Sequence, residues 1–295
     1  LRNNSKLAAV YFLNFLPHDD RGIVRRHVED LEGLRVMAQT NVELKEVYIE
    51  NRLTLNQFLI QVILESTKHE EGHVVFHIDA HSDNNGIEVN AKMIGWSEFF
   101  ALLRPVNIAL RGRLSLHLAA CRAAWSIMSL DITKPTPFLG IIAPEVVLSA
   151  EDSIEIYRPF YHSIFVTRNF GAAVKALRRE AEKRKIRIYT STAGRLFLDG
   201  IDGYLENQAR GRGRQDRLEN MVSKLNEAGL DGVAMRKDVR AFLWGDQRPH
   251  IRDAWRIFTL IDQYPELESE VKQATPPKLL SYVSVQGDSV FSKVQ

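Results

Sequence analysis

Two apolar runs of strand length each stop at a reactive side chain. Val74-Val75-Phe76-His77-Ile78-Asp79-Ala80 ends before His81, and Leu114-Ser115-Leu116-His117-Leu118-Ala119-Ala120 ends before Cys121. Runs with so little polar alternation suit strands buried on both faces, and such strands belong to parallel sheets covered by helices. In an open parallel α/β sheet the crevice lies outside the carboxyl ends of the strands. His81 and Cys121 are therefore expected to face each other there despite their separation in sequence. A thiol in that position becomes a nucleophile when a nearby imidazole takes its proton or stabilises the thiolate.

The sequence around them alternates in the same way. Leu7 to Leu13 is a continuous apolar run, ending in a Pro17 to Gly22 loop at what would be the catalytic edge. Val24, Val28, Leu31, Leu34 and Met37 recur at spacings of three and four, which predicts a helix over 22–39. Val47-Tyr48-Ile49 reads as a short second strand, and Thr54 as the cap of a helix carrying Phe58, Leu59, Val62 and Ile63. A turn at Asp83-Asn84-Asn85-Gly86 leads into Ile87-Glu88-Val89 as part of a small hairpin. Phe138 to Ala143 is a fifth main strand, helices follow near 152–166 and 171–184, and Ile186 to Tyr189 is a sixth strand. This order predicts an α/β domain over 1–195, with a mostly parallel sheet of about six strands between helical layers.

Residues 196–295 are expected to form a mainly helical C-terminal region with a regulatory or packing role. Gln208-Ala209-Arg210-Gly211-Arg212-Gly213-Arg214-Gln215 is basic and glycine-broken, so it reads as an exposed loop and a point where self-cleavage would be sterically easy. Helical patterns follow at Leu218, Met221, Val222 and Leu225, and at Trp255, Ile257, Phe258 and Ile261. Pro276-Pro277 is expected to stop the last helix, with a terminal strand or hairpin at Tyr282 to Val285 and Val290-Phe291.

Composition narrows the partners. With 295 residues and 45% hydrophobic content the chain can bury a substantial core. The 39 basic and 37 acidic residues leave a net charge of +2, too little to demand a nucleic acid or an anionic membrane. One cysteine excludes an internal disulfide and suits a reducing compartment. No apolar window is long enough to span a bilayer and the start lacks a signal-peptide pattern, so a cytoplasmic location is expected.

The two strand ends also carry a resemblance. Val74 to His81 is similar to the H-x-x-x-H-G segment of CHAT domains, caspase-fold relatives of separase, with His77 and His81 at the two histidines. Leu116-His117-Leu118-Ala119-Ala120-Cys121-Arg122-Ala123 resembles both the cysteine strand of that family and the caspase Q-A-C-R-G signature, whose histidine also lies upstream. Ile94 to Leu103 resembles the short helix between the motifs, and the segments from Ile141 to Leu177 the closing strand and helices, so the likeness covers roughly 6–190. Ser82 stands where the family has glycine after the histidine, and Ala123 where it has glycine two positions after the cysteine.

The resemblance implies a caspase-like three-layer sandwich and a cysteine endopeptidase that needs no cofactor or metal. Cys121 would attack the scissile carbonyl and His81 would protonate the leaving amine, with backbone N–H groups of Ser82 and Cys121 as the oxyanion hole. His77 and Asp79, on one face with His81 by strand alternation, are candidates to support or orient an imidazole. Glu145, Glu151 and Asp152 are candidates to read a P1 arginine, although an acidic pair there equally stabilises a helix N-terminus. The expected partners are a protein substrate and an activating partner or self-association, in pathways such as bacterial defence or cell death.

Two alternatives remain open at the level of sequence. One is a caspase-like scaffold that has lost activity and works by binding. The other uses Asp79-Ala80-His81-Ser82-Asp83, which resembles the D-A-H-x-D metal motif of arginase-type ureohydrolases. The glycine-rich and D-x-D segments of that family are missing here.

Overall fold

The structure is a computed structural model and describes residues 6–70 and 72–283. It is an α/β fold. Six strands, β1 (Leu7–Asn14), β2 (Glu43–Tyr48), β3 (His73–Ala80), β6 (Leu114–Ala120), β7 (Gly140–Pro144) and β8 (Ile188–Thr192), form one sheet in the order β2-β1-β3-β6-β7-β8. All neighbours are parallel except β7 and β8. A separate antiparallel hairpin joins β4 (Gly86–Val89) to β5 (Lys92–Gly95).

Helices cover both faces. On one face α1 (Arg21–Met37), α4 (Ala150–Thr167) and α5 (Phe170–Lys183) pack Val24, Leu31, Tyr157, Phe160, Tyr161 and Leu177 against Val10, Phe12 and Val75. On the other, α2 (Arg52–Leu64) sets Phe58 against Tyr11 and Phe76, and α3 (Trp96–Ala109) sets Phe99 against Phe15. This burial on both sides is why β1, β3 and β6 are mostly apolar and their few polar side chains largely buried. The ends of the helices are written in their sequence. Asn51, rather than Thr54, is the N-cap of α2. Thr54 answers from the third helical position and closes a reciprocal capping box. Ser149 and Asn169 cap α4 and α5 through their side chains.

The chain divides into two compact units. Among the described residues, the first comprises those within 6–131 and 135–193, and the second those within 132–134 and 194–283. In the second, α6 (Ala193–Asn207) is followed by α7 (Gly211–Glu227), α8 (Gly232–Trp244), α9 (Arg248–Phe258), α10 (Glu268–Ala274) and α11 (Pro277–Val283). Leu218, Val222, Val239 and Leu243 make a small core of α7 and α8, and the tilted rings of Phe197 and Phe258 lie 5.4 Å apart.

Three local expectations fail in this unit. Residues 211–215 are the first turns of α7 and not a loop. A Cβ on Gly213 would come within 1.7 Å of the Asn207 carbonyl oxygen, so this glycine serves a tight corner and not a flexible linker. Arg214 and Arg217 lie over the rings of Trp244 and Tyr204, so they are bound to aromatic surface. α10 ends at Ala274, just before Pro276-Pro277, but it is not the last helix, because Pro277 starts α11, where the first helical position needs no N–H. Tyr282 and Val283 are helical, and the rest of the expected terminal strand lies outside the described residues.

Candidate active site

His81 and Cys121 follow directly on a register pair, Ala80 on β3 and Ala120 on β6. Adjacent strands lie about 4.8 Å apart, and partners across a parallel ladder share a face. The two residues therefore leave neighbouring parallel strands at the carboxyl edge of the sheet. Their surroundings fix the face. The His81 ring meets Asp20 at the start of α1, and the Cys121 thiol meets Leu148 just before α4. Both helices lie on the same side of the sheet.

The thiol sits half-buried in a backbone cradle. Cys121 Sγ accepts from the Leu148 N–H at 3.4 Å and lies 3.7 Å from the Leu148 carbonyl. The N–H of Arg122 donates to the carbonyl of Val146, so the loops after β6 and β7 are tied at the thiol. Arg122 is left-handed, with φ 55°.

Ser82 and Ala123, where the resembled family has glycine, are not among the positive-φ residues, so these side chains bring no backbone strain. The Ser82 Oγ donates to the Cys121 carbonyl at 2.6 Å. Ser82 pairs with Ile87 through bonds from the Glu88 N–H to the His81 carbonyl and from the Asp83 N–H to the Gly86 carbonyl. That pattern uses the flanking groups and leaves the Ser82 N–H out of the hairpin ladder.

Asp20 is the residue that reading the sequence missed. It stands at the N-cap of α1, where a carboxylate ordinarily accepts from the first turn, but it makes no capping bond. Its Oδ2 lies instead 3.8 Å from His81 Nε2, with the two side chains 51% and 52% exposed. The only signal in the sequence was its place in the loop after β1, beside β3.

Asp79 lies beside a different imidazole, at an ion-pair distance and without a hydrogen bond. Its Oδ2 lies 3.5 Å from Nε2 of the fully buried His77, whose Nδ1 is 2.9 Å from the Tyr161 hydroxyl. The same hydroxyl is 3.2 Å from His117 Nδ1. His117 and His77 face each other in register, and burial holds His117 well below the ordinary histidine range. His73 is likewise buried, its pKa pushed down to about 4 by loss of water and then by Arg113. These three are core histidines.

Two of the candidate acidic pocket residues are engaged with arginines. Glu145 pairs with Arg187 at 3.6 Å. Asp152 accepts from Ser149 Oγ at 2.7 Å and pairs with Arg184 at 3.2 Å. Glu151 is exposed in the first turn of α4, a placement that favours the helix dipole. Asp83 turns back on its own loop. The N–H groups of Asn85 and Gly86 donate to it and hold its carboxyl below the usual range. Among the described residues no three His, Cys, Asp or Glu side chains gather as a metal site, so Asp79, His81 and Asp83 do not assemble the ureohydrolase arrangement.

No family model matches the chain, and no curated protein does. Among the described residues no helix is long and apolar enough to cross a membrane.

Proposed function

We propose that the chain is a caspase-like, CHAT-type cysteine endopeptidase acting through Cys121 and His81. The observation that carries this reading is that each residue comes one position after the last register pair of adjacent parallel strands, Ala80 on β3 and Ala120 on β6. With Nε2 of His81 turned to Asp20, Nδ1 is the nitrogen left to exchange a proton with the thiol. The Cys121 proton passes to His81, and the sulfur bonds to the scissile carbonyl carbon. The C–N bond then breaks as the imidazolium protonates the departing amine. Water adds to the thioester, its proton goes to His81, and the C–S bond breaks to return the thiol. Backbone N–H groups of Ser82 and Cys121 are the proposed oxyanion donors. Asp20 is the proposed orienting carboxylate, which adds a third member to the dyad.

Intact-mass labelling by peptidyl acyloxymethyl ketones is the test. Adduct formation at Cys121 that is lost in Cys121→Ala and His81→Ala and ignores chelator supports the peptidase; a chain that no probe labels sinks it. A binding scaffold is the second reading, favoured by the engagement of Sγ with Leu148. A partner retained equally by wild type and Cys121→Ala, with no adduct in either, would select it.

A further inference from the structure

Both of the loops that are tied together at the thiol carry exposed apolar side chains. After Cys121 the chain runs through Arg122 into a 3-10 stretch, Ala123–Ser129, begun by the bond from the Trp125 N–H to the Arg122 carbonyl. Trp125 and Met128 are three residues apart, and in a 3-10 helix such side chains eclipse, so they form one row. They are 52% and 81% exposed. From the other loop comes Val147, 67% exposed. Its two neighbours are fixed at the site, Val146 by the Arg122 N–H and Leu148 by its bond to Cys121 Sγ. Large apolar groups left in water beside a nucleophile gain by being covered, and an apolar side chain of a bound peptide would cover them. Two of the three acidic alternatives are compromised, since Glu145 and Asp152 already pair with Arg187 and Arg184, while Glu151 stands in the first turn of α4. A cationic P1 residue would have to displace an arginine to use either paired carboxylate.

Resting on the peptidase reading, we propose that Trp125, Met128 and Val147 select peptides with an apolar residue, aromatic or branched aliphatic, at the P1 position. The competitor is an acidic P1 residue, because Arg122 is an exposed cation next to Cys121.

The test compares labelling rates of the full chain by acyloxymethyl ketone tripeptides identical except for Phe, Leu, Arg, Lys or Asp at P1. Cys121→Ala serves as the site control and iodoacetamide as a probe of thiol reactivity. The Phe and Leu probes are expected to label fastest. Trp125→Ala and, separately, Val147→Asp are expected to slow those two by about tenfold, the scale of a lost apolar pocket contact, while labelling by iodoacetamide stays unchanged. Fastest labelling by Arg, Lys or Asp, or equal rates for all, would overturn the specificity while leaving the peptidase standing. No peptidyl labelling while iodoacetamide still modifies Cys121 would overturn both.

Discussion

The buried hydroxyl of Tyr161 meets two histidine rings from adjacent strands, His77 at 2.9 Å and His117 at 3.2 Å. Tyr161→Phe would leave two ring nitrogens unpaired in a dry interior, which costs about 1–3 kcal/mol. Urea denaturation should report that loss. Three buried histidines set a pH dependence. Burial pushes His27 down to about 3, with His77 adding to it, and His73 to about 4, while His117 is held well below the ordinary range. The unfolded chain takes up these protons near 6.5, so between 6.5 and the folded values it binds more protons than the native state. Stability is then complete above about pH 6.5 and falls as pH drops, by up to about 1.4 kcal/mol per pH unit for each histidine. Urea midpoints at pH 7.5 and 5 should differ in that direction. A flat profile would refute it. At the active edge, Asp20→Asn should slow probe labelling of Cys121 more near neutral pH than in alkali, where the thiolate forms unaided. An unchanged pH–rate profile would remove Asp20 from the site.

Among the elements, the β4–β5 hairpin meets the chain just past His81 through its backbone, where Ser82 pairs with Ile87, and Trp96 at the start of α3 adds a bond from its Nε1 to the Asp83 carbonyl at 3.0 Å. A Cβ on Gly86 would fall 2.2 Å from the Ile94 carbonyl oxygen. Gly86→Ala should destabilise the fold by about 1–3 kcal/mol, as overpacking does, and slow Cys121 labelling beyond what the stability loss explains. Elements also show where local signals suffice. The period of α1 and the apolar strands were legible because each depends on residues a few positions apart. The arginine–glycine run was misread because its glycines answer to a steric contact with Asn207 and its arginines to Trp244 and Tyr204. None of those partners is visible in composition.

At the scale of the whole molecule, the second unit has an interior of its own. Trp255 is 1% exposed and Phe258 is fully buried in α9. Trp255→Ala should remove about 3–5 kcal/mol of local stability. Hydrogen exchange should rise in peptides from 194–283 with those from 73–120 unchanged, if each unit opens separately. A uniform rise throughout would mean that the two units unfold as one.

The order of apolar strands and amphipathic helices was enough to determine a mostly parallel α/β sheet, and with it the edge to which His81 and Cys121 belong. Both follow from short-range periodicity and from the rule that such strands are buried on both faces. Only the tertiary structure decided which carboxylate meets which imidazole. Asp79 shares its strand face with His81 but turns to His77, and Asp20, distant in sequence, arrives beside His81 because β1 lies next to β3. A side chain at a strand end has several partners within reach, and the choice among them is made by the packing of neighbouring elements, which no local pattern encodes.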